Sequence, residues 1–368
     1  VTGRHEFLEN AKSYESFKLF EMDLLDLENI KRIFSCDIVF HLAANADVRY
    51  GIENPYRDLE QNTIATYNVL EAMRHNKVKK IAFSSTGSIY GESEVIPTPE
   101  NANFPIQTSL YGASKLACEG LISAYAEGFE FQSWIFRFVS VLGERYTHGH
   151  VYDFYKQLKN NPHELKVLGN GKQNKSYMYV GDCIDAILLS IKKSKSKVNI
   201  LNLGLDQSVE IDESILYICK KLNVKPELTY TGGDKGWIGD NPHIHLDINK
   251  ILNLGWKPKV SIKQGIEKTI DFLLDNEWVL ETRREQLDLI NKNVPQNRKK
   301  ILQDETKYLV VGGGGFIGSY VVDMLLSKES TSKVIVYDNF CSGKKWHLKE
   351  HLENNKFQLI EKDIYDKD

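Results

Sequence analysis

The stretch YLVVGGGGFIGSYVVDMLL (308 to 326) decides the fold. An apolar, β-branched run of strand length meets a glycine-rich turn and then an amphipathic helical pattern, and KVIVYDNF (333 to 340) follows as a second strand. Gly312, Gly315 and Gly318 are spaced Gly-x-x-Gly-x-x-Gly, and Asp338 closes the next strand 20 residues after the last of them. Glycines at these places let a pyrophosphate approach a helix N-terminus, where free N–H groups and the helix dipole favour an anion. Asp338 can accept a hydrogen bond from an adenosine ribose, and its charge repels a 2′-phosphate, so the pattern points to NAD rather than NADP.

Outward from this stretch, strand-length apolar runs alternate with helical patterns. FKLFEMD (17 to 23) reads as a strand, LENIKRIF as a helix and DIVFHLAA (37 to 44) as a strand. A helix over 58 to 75, the strand KKIAFSST (79 to 86), a helix from about 109 to 127 and the strand WIFRFVSVLG (134 to 143) follow. Such alternation with short connections implies α/β: a doubly wound parallel sheet, Rossmann-like, with ligands at the strands' carboxyl ends. Residues 1–144 form this domain without its first βαβ unit. Gly and Pro breaks loosen the pattern over 145–275, where a helix near 181 to 193 and a return strand NILNLG (199 to 204) mark a smaller, interleaved α/β substrate domain. The charged stretch 276–306 reads as a linker containing helix, and 307–368 as a new βαβ start.

Composition excludes several classes. The net charge of −3 offers no field for a nucleic-acid backbone, so no nucleic-acid partner is expected. The five cysteines lie at least 36 residues apart, which gives no zinc spacing and reads as free thiols in a reducing compartment, with no metal. No apolar run reaches the roughly 18 residues of a membrane span, so a cytoplasmic protein with no membrane partner is expected.

The chemistry-bearing pattern is SLYGASK (109 to 115). Tyr111 and Lys115 lie four apart near a helix start, hence on one face, and Thr86 ends a strand 25 residues earlier. A tyrosine base at neutral pH needs its pKa lowered by about 3 units, roughly 4 kcal/mol, and Lys115 with a positive nicotinamide ring could supply that. A surface helix pair is the bland alternative; the upstream SST and the glycine motif favour chemistry.

With GGGGFIGS, VYDNF, FHLAA (40 to 44), QNTIATYNVLEA (61 to 72), FSSTGSIYG (83 to 91), YGASK, RFVSVLG (137 to 143), NKSYMYVGDCIDAI (174 to 187) and LGWKP (254 to 258) in view, the chain resembles the extended short-chain dehydrogenase/reductase family. It falls in the NAD-dependent epimerase/dehydratase branch and is most similar to nucleotide-sugar enzymes of the UDP-glucose 4-epimerase type. The resemblance implies NAD as cofactor, a nucleotide sugar as substrate, and allows a homodimer. It implies Tyr111 as base, Lys115 as its cofactor-side partner and Thr86 as the hydroxyl that holds the sugar oxygen. Asp23 and Asp363 each match an adenine-contacting Asp. Ala43 and Ala44 would line the cofactor, as would His41, for which a satisfied buried histidine is an equal reading. Asn62 matches an Asn that supports the substrate site, and Lys235 and Trp237 fall where diphosphate and base are contacted. Dehydrating members carry acidic residues straight after the hydroxyl residue. Here Gly87, Ser88 and Ile89 follow, which leaves oxidation and re-reduction at C4, that is, epimerisation. A module that only binds NAD or a nucleotide sugar, and another nucleotide-sugar oxidoreductase, are the alternatives.

The order of parts departs from the family, whose members start with the glycine motif. VTGRHEFLENAKSYESFKLFEMDLLD at the head and CSGKKWHLKEHLENNKFQLIEKDIYD at the tail are two versions of one segment. The expectation is either a piece of a tandem protein or a permutation in which 307–368 completes 1–144, with the overlap and Val1 favouring the first. In the permuted case, 308 to 312 should lie beside 38 to 42, and 357 to 361 should displace 17 to 21 from the place beside 333 to 337.

Overall fold

The computed structural model describes residues 5–45, 48–103, 106–237, 239–280 and 306–365. The chain divides into two units, Val1–Asp288 and Leu289–Asp368. Of the expected linker, residues 281–305 lie outside the described residues.

The first unit is built on a parallel sheet. Strands β1 (Val39–His41), β2 (Lys80–Thr86), β3 (Gln132–Phe138) and β8 (Val198–Leu203) lie in the order β1-β2-β3-β8, with Phe83 opposite both His41 and Ile135. β2 and β3 are almost continuously buried, as expected of central parallel strands covered on both faces. The crossovers carry helices α1 (Ala65–His75), entered through a π-helical segment Leu59–Ile64, and α2 (Leu110–Phe129). One face of the sheet packs Val69, Leu70, Met73, Ile81, Phe83, Cys118, Ile122 and Ile135 into a dry cluster. Each such side chain, taken out of water, contributes about 1.5–3 kcal/mol before chain entropy is set against it.

Where one strand WIFRFVSVLG was expected, the ladder breaks at Val139, and Ser140–Leu142 forms β4, which pairs with β7 (Tyr177–Tyr179) in a second sheet. This redirection starts the smaller substructure. Its short strands β5 (Glu164–Val167) and β10 (Glu227–Tyr230) pair in parallel, and β6 (Asn174–Lys175) lies between β9 (Val209–Glu210) and β11 (His243–Ile244). Helices α3 (His150–Asn160), α4 (Val180–Lys193), α5 (Ile211–Leu222) and α6 (Ile262–Asp275) surround them.

The expectation of a strand over 17 to 23 is not met. Those residues are extended without a ladder, and Leu19, Phe20 and Met22 are exposed. Among the described residues the sheet of this unit ends at β1, which pairs only with β2, and this segment joins no ladder.

The second unit meets the expected order β12 (Thr306–Val311), α7 (Phe316–Leu326), β13 (Thr331–Asp338), β14 (Phe357–Glu361), with the sheet running β12-β13-β14, all parallel. Here the tail version of the duplicated segment is a strand, because β13 supplies its ladder. A small core of Val322, Leu325, Val334, Val336 and Leu348 holds the unit. Among the described residues no helix is long and apolar enough to cross a membrane.

Candidate active site

The site of the first unit forms where β2 ends and α2 begins. Ser109 caps α2, its hydroxyl accepting from the Gly112 N–H at 3.0 Å, a contact of about 1 kcal/mol that fixes where the helix starts. Two residues on, Tyr111 lies near the Thr86 side chain, which pulls the phenol's pKa down against its burial. Thr86 itself sits in extended backbone at the strand end, and its Oγ1 accepts from the Ser88 N–H at 3.1 Å, which anchors the turn that follows. The two side chains therefore come together where β2 ends and α2 begins.

One turn further, Lys115 is 2% exposed, its Nζ donates to the Ser84 carbonyl at 2.7 Å, and it stands 4.6 Å from the Phe83 ring centroid. Burial draws its pKa down to about 8, while Cys118 and Glu119 pull the other way. The expected lowering of the tyrosine is not found: burial pushes the Tyr111 phenol up to about 12, against the pull of the Thr86 side chain and with the Asp58 carboxylate adding to the rise. The Lys115 ammonium is committed to Ser84, so in the chain's own field the phenol stays protonated.

His41 takes the bland alternative. It is buried, its Nε2 is 2.9 Å from Thr66 Oγ1, and burial, helped by the Lys115 charge, lowers it to about 3, so it is a neutral, satisfied core group. Ala43 and Ala44 are exposed on the loop leaving β1. Asn62, in the π-helical segment, is 1% exposed and faces protein: its Oδ1 accepts from the Asn45 N–H at 2.7 Å, and its Nδ2 donates to Ser114 Oγ at 2.8 Å and toward Asp58 Oδ1 at 3.3 Å. It thus ties the loop after β1 to the helix that carries Tyr111, a supporting place rather than a ligand-facing one. Lys235 forms an exposed ion pair with Glu92. Trp237 lies under Lys175, whose Nζ is 4.9 Å from the ring centroid and 2.6 Å from the buried carboxylate of Asp240. Asp23 accepts from the Leu25 N–H at 2.9 Å.

Sequence reasoning did not single out Asp58, Glu119, Arg137 or Lys175. Asp58 precedes Asn62 by one helical turn, and Glu119 follows Lys115 by one, so spacing held a signal for both; Arg137 and Lys175 reach their partners through tertiary folding alone.

In the second unit the glycine loop joins β12 to α7. Gly312 has φ +77°, and a Cβ on Gly318 would lie 2.2 Å from the Gly312 carbonyl oxygen, so the helix can pack this close to the turn only with glycine there. Asp338 grips the loop: Oδ2 accepts from the Gly314 N–H at 2.8 Å and Oδ1 from the Phe340 N–H at 2.7 Å. The residues fit a dinucleotide, since a glycine cradle opens onto the first turn of an eleven-residue helix, with a carboxylate held beside it. Asp363 is placed at the end of β14, where it accepts from Asn339 at 2.8 Å and from the Tyr365 N–H at 3.0 Å; the latter bond leads in holding its pKa low. Among the described residues no cluster of His, Cys, Asp and Glu could hold a metal ion.

The chain is similar to known proteins. A Thermus thermophilus UDP-glucose 4-epimerase, solved in complex with NAD, superposes with a TM-score of 0.65 at 30% identity over 74% of this chain and 88% of that one. The UDP-glucuronate 4-epimerase of Thermodesulfobacterium geofontis is 29% identical over 75% of this chain and 85% of its own length. Human dTDP-D-glucose 4,6-dehydratase is 28% identical over 73% and 78%. Residues 309–368 match the GDP-mannose 4,6 dehydratase family, and residues 1–204, more than half of the sequence, match another: the chain belongs to the NAD dependent epimerase/dehydratase family.

Proposed function

We propose that the protein is a nucleotide-sugar 4-epimerase acting on a UDP-glucose/UDP-galactose-like substrate. The observation that carries this reading is Tyr111 at the start of α2 near Thr86 at the end of β2, one turn before a buried Lys115 held on Ser84, with Gly87, Ser88 and Ile89 following Thr86 and no carboxylate among them. Thr86 holds the sugar's C4 oxygen, and Tyr111 accepts the proton of that hydroxyl. When bound, NAD supplies hydride acceptance and return at C4; in the second unit, taken by itself, Gly312, Gly315, Gly318 and Asp338 would hold a dinucleotide. Tyr111 gives the proton back to the same oxygen after the sugar has turned, so no net redox change results. Lys115 is the cation that would favour tyrosinate once it is released from Ser84 toward a ligand. A 4,6-dehydratase, though among the similar proteins, would need a general acid beside Thr86 to help a group leave. The sequence puts none in the three positions that follow.

The test is Tyr111→Phe. Loss of the proton acceptor should cut UDP-galactose epimerisation by about 10³-fold while NAD, measured by the absorbance and mass of cofactor released from purified protein, remains bound. Unchanged turnover would refute the assignment.

A further inference from the structure

Two consecutive residues of β2 each grip one residue of α2: Ser84 takes Lys115 on its carbonyl oxygen at 2.7 Å, and Ser85 donates its hydroxyl to the Glu119 carboxylate. Thr86, which follows them, ends the strand, and Tyr111 precedes Lys115 by one helical turn. Tyr111, Lys115 and Glu119 are four residues apart in turn and so share one helix face. The Glu119 grip is the more heavily built. Glu119 is 4% exposed and Arg137, on the neighbouring strand β3, is 1% exposed. Arg137 Nη2 meets Glu119 Oε2 at 2.7 Å and its Nε lies 3.1 Å from Oε1. The other arm of the guanidinium donates to the Tyr90 hydroxyl at 2.6 Å and the Glu100 carbonyl at 2.9 Å, and Tyr90 passes the chain of bonds to Asn202 on β8 at 2.9 Å. A charge pair this deeply buried and this completely hydrogen-bonded fixes geometry more than it adds stability.

We propose that Glu119 is a positioning residue for the reaction: through Ser85, and braced by Arg137, it sets the axial register of helix α2 against strand β2 and thereby the placement of Tyr111 relative to Thr86. The inference rests on the epimerase reading above. A helix advances about 1.5 Å per residue, so a slide of less than one residue along its axis displaces Tyr111 from Thr86, and a misplacement of about 1 Å costs about 100-fold in rate. Lys115 alone is one point of attachment; Glu119 adds the second that stops the slide.

Ser85→Ala removes the strand-side anchor and leaves the Glu119–Arg137 pair intact. With UDP-galactose as probe, kcat should fall by about tenfold or more with KM unchanged, and Ser85→Thr, which keeps the hydroxyl, should restore it. In protein carrying 13C-labelled tyrosine, the Tyr111 ring resonance, identified by its loss in Tyr111→Phe, should move in Ser85→Ala and return in Ser85→Thr. The paired variant E119L–R137M removes the clamp, acceptor included, without stranding a buried charge and should reproduce the loss of kcat. A kcat that is unchanged, or lost only in proportion to the folded fraction, overturns the proposal. So does a Tyr111 resonance that Ser85→Ala leaves in place. If the unaltered protein turns over no nucleotide sugar, or Tyr111→Phe remains active, it is the epimerase reading that fails, and the Tyr111 resonance still decides the positioning.

Discussion

Lys115 carries a cost. An ammonium 2% exposed, with one carbonyl and an aromatic face for company, is held at about 8 rather than the usual lysine value. Its folded pKa is depressed, so between about 8 and the unfolded value near 10.4 the unfolded chain holds a proton that the folded one has released. Stability therefore rises with pH across that window, by as much as about 3 kcal/mol. Lys115→Met should lose this rise, and the difference between the two proteins' urea midpoints at pH 8 and pH 10 measures it. Asp338 would join scaffold to selectivity, since its carboxylate ties Gly314 and Phe340 and, on the proposed reading, meets a ribose as well. Asp338→Asn keeps an acceptor but removes the charge, so it should narrow the preference for NAD over NADP in a binding titration; a protein that already prefers NADP before the change would contradict the assignment. Tyr111, Lys115 and Thr86 were legible because helix periodicity and a strand end are local facts. The raised phenol was not, because it depends on burial and on Asp58, which only the folded chain brings near.

At the scale of elements, the π-helical segment Leu59–Ile64 was unreadable, since its residues carry the same apolar pattern as the regular helix that follows. Its effect is to bring Asn62 between the loop after β1, Asp58 and Ser114 of α2. Asn62→Ala would leave the Asn45 N–H and Ser114 Oγ short of a buried partner, at a cost of about 2 kcal/mol in chemical denaturation. The strands β2, β12 and β13, and the start of β3, were found in the sequence to within a residue or two, because buried parallel strands read as continuous apolar runs. The break at Val139 was invisible, because β4 is drawn away by β7, some 37 residues distant in sequence. Likewise 17 to 23 has the composition of a strand and, among the described residues, joins no ladder, a condition that composition cannot report.

The whole molecule sets the two versions of one segment in different circumstances. Phe17, Leu19 and Phe20 correspond to Phe357, Leu359 and Ile360. Leu359 packs against the core of the second unit and lies in a ladder, while Leu19 is 44% exposed in the first unit. Leu359→Ala should lower the stability of its unit by about 1 kcal/mol, whereas Leu19→Ala should fall within about 0.5 kcal/mol of no change. Parallel thermal melts followed by hydrogen exchange at β13 and β2 would separate the two, and equal effects would contradict the assignment. The contrast sets tolerance as well. In this chain a library of replacements at position 359 should keep only apolar side chains that suit β14 and the small core beneath it, whereas position 19, open to solvent, should accept polar ones.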